Sequence, residues 1–221
     1  MSTINVPLAE EVLRSIIGHP EEHDQSSWFE VINFDELPQV NVKEGTEGDS
    51  STLSTTVTAK GMLEGSCGTT ACVAGWAALL SGWQVRTTKH TFKDGWQDIY
   101  CTSISPEGAV SSGETNPDFE AQGQELLELS EDDAHFLFYN TEGEQAIVVL
   151  YGHIKGVEDP SQVTNVARHL GITHEYAHPG DEDDALPPSV LFDLTKAVVA
   201  EIRKEYPPLT VQEWEKKHVT S

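Results

Sequence analysis

The segment Cys67-Gly68-Thr69-Thr70-Ala71-Cys72-Val73-Ala74-Gly75-Trp76-Ala77-Ala78-Leu79-Leu80-Ser81-Gly82 constrains the fold more than any other part of the chain. Ala71, Ala74, Gly75 and Ala78 fall at i, i+3, i+4 and i+7, a flat stripe on which a second element can approach closely. Val73, Trp76, Ala77 and Leu80 form a bulkier second face. A helix that is apolar on both faces is buried on most sides, so the spacing predicts a core helix over 69–81, with Thr69 or Thr70 as N-cap and Gly82 as its stop.

Around this helix the pattern is mostly helical. Pro7 to Ile17 reads as a first helix, with Leu8, Val12 and Ile16 on one face and Gly18 and Pro20 ending it. Ser26 to Ile32 reads as a brief helix or turn. Residues 41–62 are rich in Ser, Thr, Gly and acids and read as a long loop, with one edge strand at Ser54 to Val57. Trp83 to His90 and Trp96 to Thr102 flank Lys93-Asp94-Gly95, a strong hairpin signal, and Ala109 and Val110 suggest a third strand. Helices are expected from Asp118 to Leu129, after the cap Ser130, from Glu144 to Lys155, from Ser161 to Leu170 and from Val190 to Tyr206, with a last turn from Thr210 to Trp214. The fold class predicted is α+β, mainly α. It is a single compact domain over 1–221, with a helical part at 6–32, a loop at 41–62, the core helix at 69–81, a β insertion at 83–110 and C-terminal helices at 118–217.

Charge narrows the function classes. Thirteen Lys and Arg face thirty-seven Asp and Glu, for a net charge of −24. Between Lys93 and Lys155 there is no Lys or Arg, against thirteen acids. Such a surface repels nucleic-acid phosphates and anionic lipid, so neither direct nucleic-acid binding nor membrane docking is expected. No run of eighteen apolar residues is present, the first residues lack a basic and apolar leader, and three cysteines make no full disulfide framework. Together these predict a cytoplasmic protein, its acidity serving solubility or a basic protein partner.

Two motifs bear on catalysis. Cys67 lies just before the predicted helix start, where free N–H groups favour a thiolate, the placement of a nucleophilic cysteine. No Cys-His spacing marks a base for it, and Cys72 reads as a small buried residue. His174-Glu175-Tyr176-Ala177-His178 matches the zinc-peptidase pattern, in which two imidazoles on one helix face hold the ion and the glutamate activates water. Gly171 upstream and Pro179-Gly180 downstream leave little room for that helix, so no resident zinc is expected. His19 and His23 share the i, i+4 spacing, but Pro20 points to a turn and to capping. Trp83, Trp96 and Tyr100 in the hairpin form a candidate exposed aromatic patch.

Three blocks carry a resemblance: His19-Pro20 with His23-Asp24-Gln25 and Trp28; the Cys67 to Gly82 segment; and Glu125-Leu126-Leu127 and Leu129 with Ala134, Leu137 and Phe138. Together, over residues 6–140, they resemble a group of small proteins encoded by tailed phages of actinobacteria and by some bacterial genomes. The resemblance implies a phage-encoded protein in the cytoplasm of an infected bacterium and brings no activity with it. The function expected is therefore non-enzymatic: an acidic accessory protein that binds and modulates or inhibits a host protein. The alternatives are a hydrolase, through zinc at His174, Glu175 and His178 or through Cys67, and a structural component of the virion.

Overall fold

A computed structural model describes residues 4–24, 29–31, 34, 37, 43–47, 50–65, 69–106, 119–141, 143–172 and 186–218. The fold is α+β and mainly α, with two small antiparallel sheets.

The first helix, α1 (Val6–Gly18), is capped by Asn5, whose side chain accepts from the Leu8 N–H at 3.4 Å, and proline occupies its first turn. It buries Leu8, Val12, Leu13, Ile16 and Ile17. A 3-10 turn at Pro20–Glu22 follows. β1 (Phe29–Val31) pairs antiparallel with β4 (Thr69–Ala71), and His23 adds a parallel bridge to Ala71. β4 leads directly into the core helix α3 (Val73–Leu80), and every residue of α3 is buried. The start of this helix differs from expectation. Thr69 and Thr70 lie in the strand, as β-branched residues favour, and Cys72 is the N-cap, its Sγ accepting from the Gly75 N–H at 3.5 Å. The stop holds: Gly82 follows the C-cap with φ +90°.

The flat stripe is used as its small residues allow. α4 (Phe119–Leu127) crosses α3 at Gly123, where an added Cβ would stand 2.5 Å from the Ala74 Cβ. α1 packs on α3 and on α6 (Glu144–Lys155), and α8 (Pro188–Glu205) lies against α6 and α7 (Val163–His169). Between α4 and α6, α5 (Glu131–Tyr139) starts at the predicted cap: the Ser130 hydroxyl accepts from the Asp133 N–H at 3.2 Å.

The second sheet runs β2 (Lys43–Glu47), β3 (Ser50–Val57), β5 (Gln84–Thr91), β6 (Gln97–Ile104). The hairpin forms as predicted. The loop expected at 41–62 does not: it holds β2, β3 and a short helix α2 (Ala59–Leu63), and β3 is an interior strand. Its Ser and Thr residues show no apolar alternation. They are held by pairing on both sides and by cross-strand bonds such as Ser54 Oγ to Thr88 Oγ1 at 3.1 Å. The turn expected within Ser26 to Ile32 is replaced over 29–31 by β1, while Ala109 and Val110 lie outside the described residues. Val57 and Val85 seat the base of this sheet in the same apolar cluster as α3.

The C-terminal helix α9 (Val211–His218) is tied to α1 by charge. The Arg14 guanidinium donates to the carbonyls of Pro207 and Pro208, at 2.7 and 3.2 Å, and meets Glu213 at 2.9 Å. Buried Glu11 receives Lys217 and, at 3.1 Å, His218.

The crossing at Gly123 yields a test. Gly123→Ala gains up to about 1 kcal/mol of helix propensity and meets an overpacking cost of about 1–3 kcal/mol. A net loss is expected in chemical denaturation, whereas a stabilised variant would show that α4 does not sit this close to α3.

Candidate functional site

Two places bring together chemistry that packing alone does not call for. The first is the solvent face of the β5–β6 hairpin. Residues of even number on these strands share that face. His90 and Tyr100 are diagonal partners, their rings stacked at 5.6 Å. His90 to Phe92 is 6.2 Å and Phe92 to Trp96 is 5.1 Å, which makes one continuous ladder Tyr100–His90–Phe92–Trp96. Trp96 is 60% exposed, Tyr100 45% and Phe92 41%, so the ladder is a surface. It is held firmly. His90 Nδ1 meets the Thr52 hydroxyl at 3.0 Å and Nε2 meets the Tyr100 hydroxyl at 3.1 Å, so in either neutral tautomer one ring nitrogen donates and the other accepts. The turn is closed by two backbone bonds, Phe92 N–H to the Trp96 carbonyl at 2.8 Å and Gly95 N–H to the Phe92 carbonyl at 2.9 Å, with Gly95 at φ +84°.

This face departs from the charge of the chain. From Gln84 to Ile104 there are three basic residues (Arg86, Lys89, Lys93) and two acids (Asp94, Asp98), so the ladder stands on a nearly balanced patch of a protein carrying −24. Of the predicted trio, Trp96 and Tyr100 belong to the patch. Trp83 does not: it is half-buried against the core just before β5. Phe92 and His90 were missed. Their i, i+2 spacing on the strand entering an Asp-Gly turn, opposite Trp96 and Tyr100, is the signal that could have found them.

The second place is the turn after α1. His19 stacks on buried Trp76 of α3, with centroids 6.3 Å apart and planes at 29°. Glu22, only 7% exposed, points an oxygen at His19 Nδ1 from 3.7 Å, beyond hydrogen-bond reach. The His23 Nδ1–H donates to the Ala71 carbonyl at 3.2 Å. Among the described residues, Glu22 Oε2, His23 Nε2, Thr70 Oγ1 and Trp76 Nε1 are all buried without a hydrogen-bond partner. Burial pushes Glu22 up to about 7, helped by the Glu21 carboxylate beside it, and burial pushes His23 down to about 4. His19 is also lowered by burial, partly offset by Glu21.

The catalytic candidates fare differently. Cys67 and the motif residues His174, Glu175 and His178 lie outside the described residues. Cys72, buried, has its thiol pushed up to about 12, and Cys101 is also raised by burial. Neither of these two supplies a thiolate near neutral pH. A separate groove of about 530 Å³ between α6 and α8 includes Leu191 and exposed Phe192. No described helix is long and apolar enough to cross a membrane.

Two measurements follow from these shifts. Cys72 should resist alkylation in the folded protein at pH 8 and react fully once denatured, read by peptide mass spectrometry. Labelling of the native chain at Cys72 would contradict its burial. For Glu22, the folded state keeps a proton between about pH 4.5 and 7 that the unfolded chain has released, so its stabilising share is lost as pH rises through about 7. His23 runs the other way: the unfolded chain holds the extra proton between about pH 4 and 6.5, and stability is lost as pH falls through that window. Glu22→Gln removes only the first. In metal-free buffer its stability relative to the parent should climb from pH 4.5 to 7, by at most about 3 kcal/mol. A flat difference would mean that Glu22 titrates normally.

Compared with protein-family models, with curated proteins and with solved structures, the chain matches none.

Proposed function

We propose that this chain is a non-enzymatic protein-binding module: an acidic phage accessory protein that engages and modulates a host protein through the aromatic ladder. The observation that supports this most is the exposure of Trp96, Tyr100 and Phe92 in one ordered row. Three large aromatic rings left in water gain little from burial, and aromatic residues on a charge-poor patch are what the centre of a protein interface is made of. The acid excess elsewhere steers a basic partner toward the protein, and the ladder supplies the contact that persists when salt screens the steering. The phage and host setting rests on the resemblance of the three sequence blocks.

The test is capture of host proteins by the tagged chain from an actinobacterial lysate, at low and moderate salt, alongside Trp96→Ala and Phe92→Ala. One near-stoichiometric protein that survives moderate salt is expected. An interface aromatic of this kind contributes about 2 kcal/mol, so either variant should weaken capture by roughly thirtyfold. No enriched protein, only a salt-labile mixture, or a partner indifferent to both variants would sink the proposal.

A further inference from the structure

From the geometry of the turn after α1 we infer a divalent-metal site for zinc, with His19 and Glu22 as its principal ligands and Glu21 as the third. His19, Glu21 and Glu22 each offer a ligand atom, and these atoms all lie within 4.8 Å of one another. The local backbone explains why. A 3-10 turn has three residues per turn, so side chains at i and i+3 eclipse, and His19 and Glu22 stand in that relation across Pro20–Glu22. Their 3.7 Å separation is too long for a hydrogen bond. It suits two atoms each bound at about 2.0–2.2 Å to one ion, which can stand no more than about 4.4 Å apart.

A second, independent observation points to a ligand. The Glu22 side chain is 9% exposed, and its Oε2, turned toward His19, has no hydrogen-bond partner among the described residues. A carboxyl group taken out of water needs a proton or a counter-charge, and unsatisfied polar atoms are rare in folded proteins. No Lys or Arg lies between Arg14 and Lys43 in the sequence, and Glu21 adds a second negative charge at the same place.

The surroundings suit an ion too. Gly65, at φ +67°, faces the pair without a side chain: an added Cβ would lie 3.7 Å from His19 Nδ1 and 3.8 Å from Glu22 Oε1. Trp76 backs the imidazole, with ring centroids 6.3 Å apart. One imidazole with two carboxylates favours zinc over calcium or magnesium, which take oxygen ligands, and leaves a fourth position for water. His23 is not a ligand through Nδ1, which is committed to the Ala71 carbonyl.

The experiment titrates zinc into the full chain without a histidine tag, against a chromophoric chelator, in a background where His174 and His178 are both Ala so that their motif does not contribute. One equivalent is expected, with a rise in melting temperature as zinc is added. His19→Ala and Glu22→Gln should each weaken binding by at least about tenfold while melting cooperatively without metal, and Glu21→Gln should weaken it less. Glu22→Gln keeps the shape of the side chain, so it reads the ligand even if His19→Ala fails to fold. No uptake at about 0.1 mM zinc, where only weak contacts stay empty, would overturn the site. So would parent-like affinity in Glu22→Gln, whatever His19→Ala does.

Discussion

Everything else in this fold is arranged around the complete burial of α3. Eight consecutive residues, Val73 to Leu80, are withdrawn from water, so the helix must be covered on every side. Alanines and a glycine contribute little transfer energy themselves, about 0.8 kcal/mol per buried CH₂ being the scale. What they provide is proximity: Ala74 receives Gly123 of α4 at backbone distance, and close approach recovers dispersion that larger side chains would have supplied. Trp76, Leu79 and Leu80, all fully buried, carry the bulk of the volume. The same burial reaches the thiol of Cys72, which caps the helix and stays protonated as a result.

The sequence made this core legible because burial on both faces leaves a pattern that survives tertiary context. It also marked the stop at Gly82, the cap at Ser130, the hairpin at Asp94-Gly95 and the bounds of Glu144–Lys155. What it concealed has a common physical cause. β2 and β3 are specified by ladder hydrogen bonds, and β3 also by hydroxyls of Ser and Thr, a composition that reads as loop. Likewise β4 takes Thr69 and Thr70 away from the helix because β1 lies ready to pair, a fact set by residues forty positions earlier. The ladder was half legible: Trp96 and Tyr100 stand out by size, whereas His90 and Phe92 join them only once the register is known. The cluster at His19 and Glu22 was hidden by its proline, which signalled the end of a helix without revealing that the next turn would be 3-10.

The two candidate places differ in what they cost the fold. The ladder's rings lie outside the core, and folding neither gains nor loses much by them. Their cost is in solubility, since an exposed aromatic patch invites association, and the net charge of −24 opposes that association among copies of the chain. Acidity and aromatic exposure are thus compatible: the net charge keeps copies of the chain apart while the ladder stays open to solvent.

The turn after α1 is the reverse case. A carboxylate 7% exposed, beside a second carboxylate and a lowered imidazole, costs stability in the chain alone. The turn is braced by Trp76 stacked against His19, by the Ala71 carbonyl on His23 and by its own 3-10 hydrogen bond. Two carboxylates converging with an imidazole are the donor set on which the proposed metal site rests.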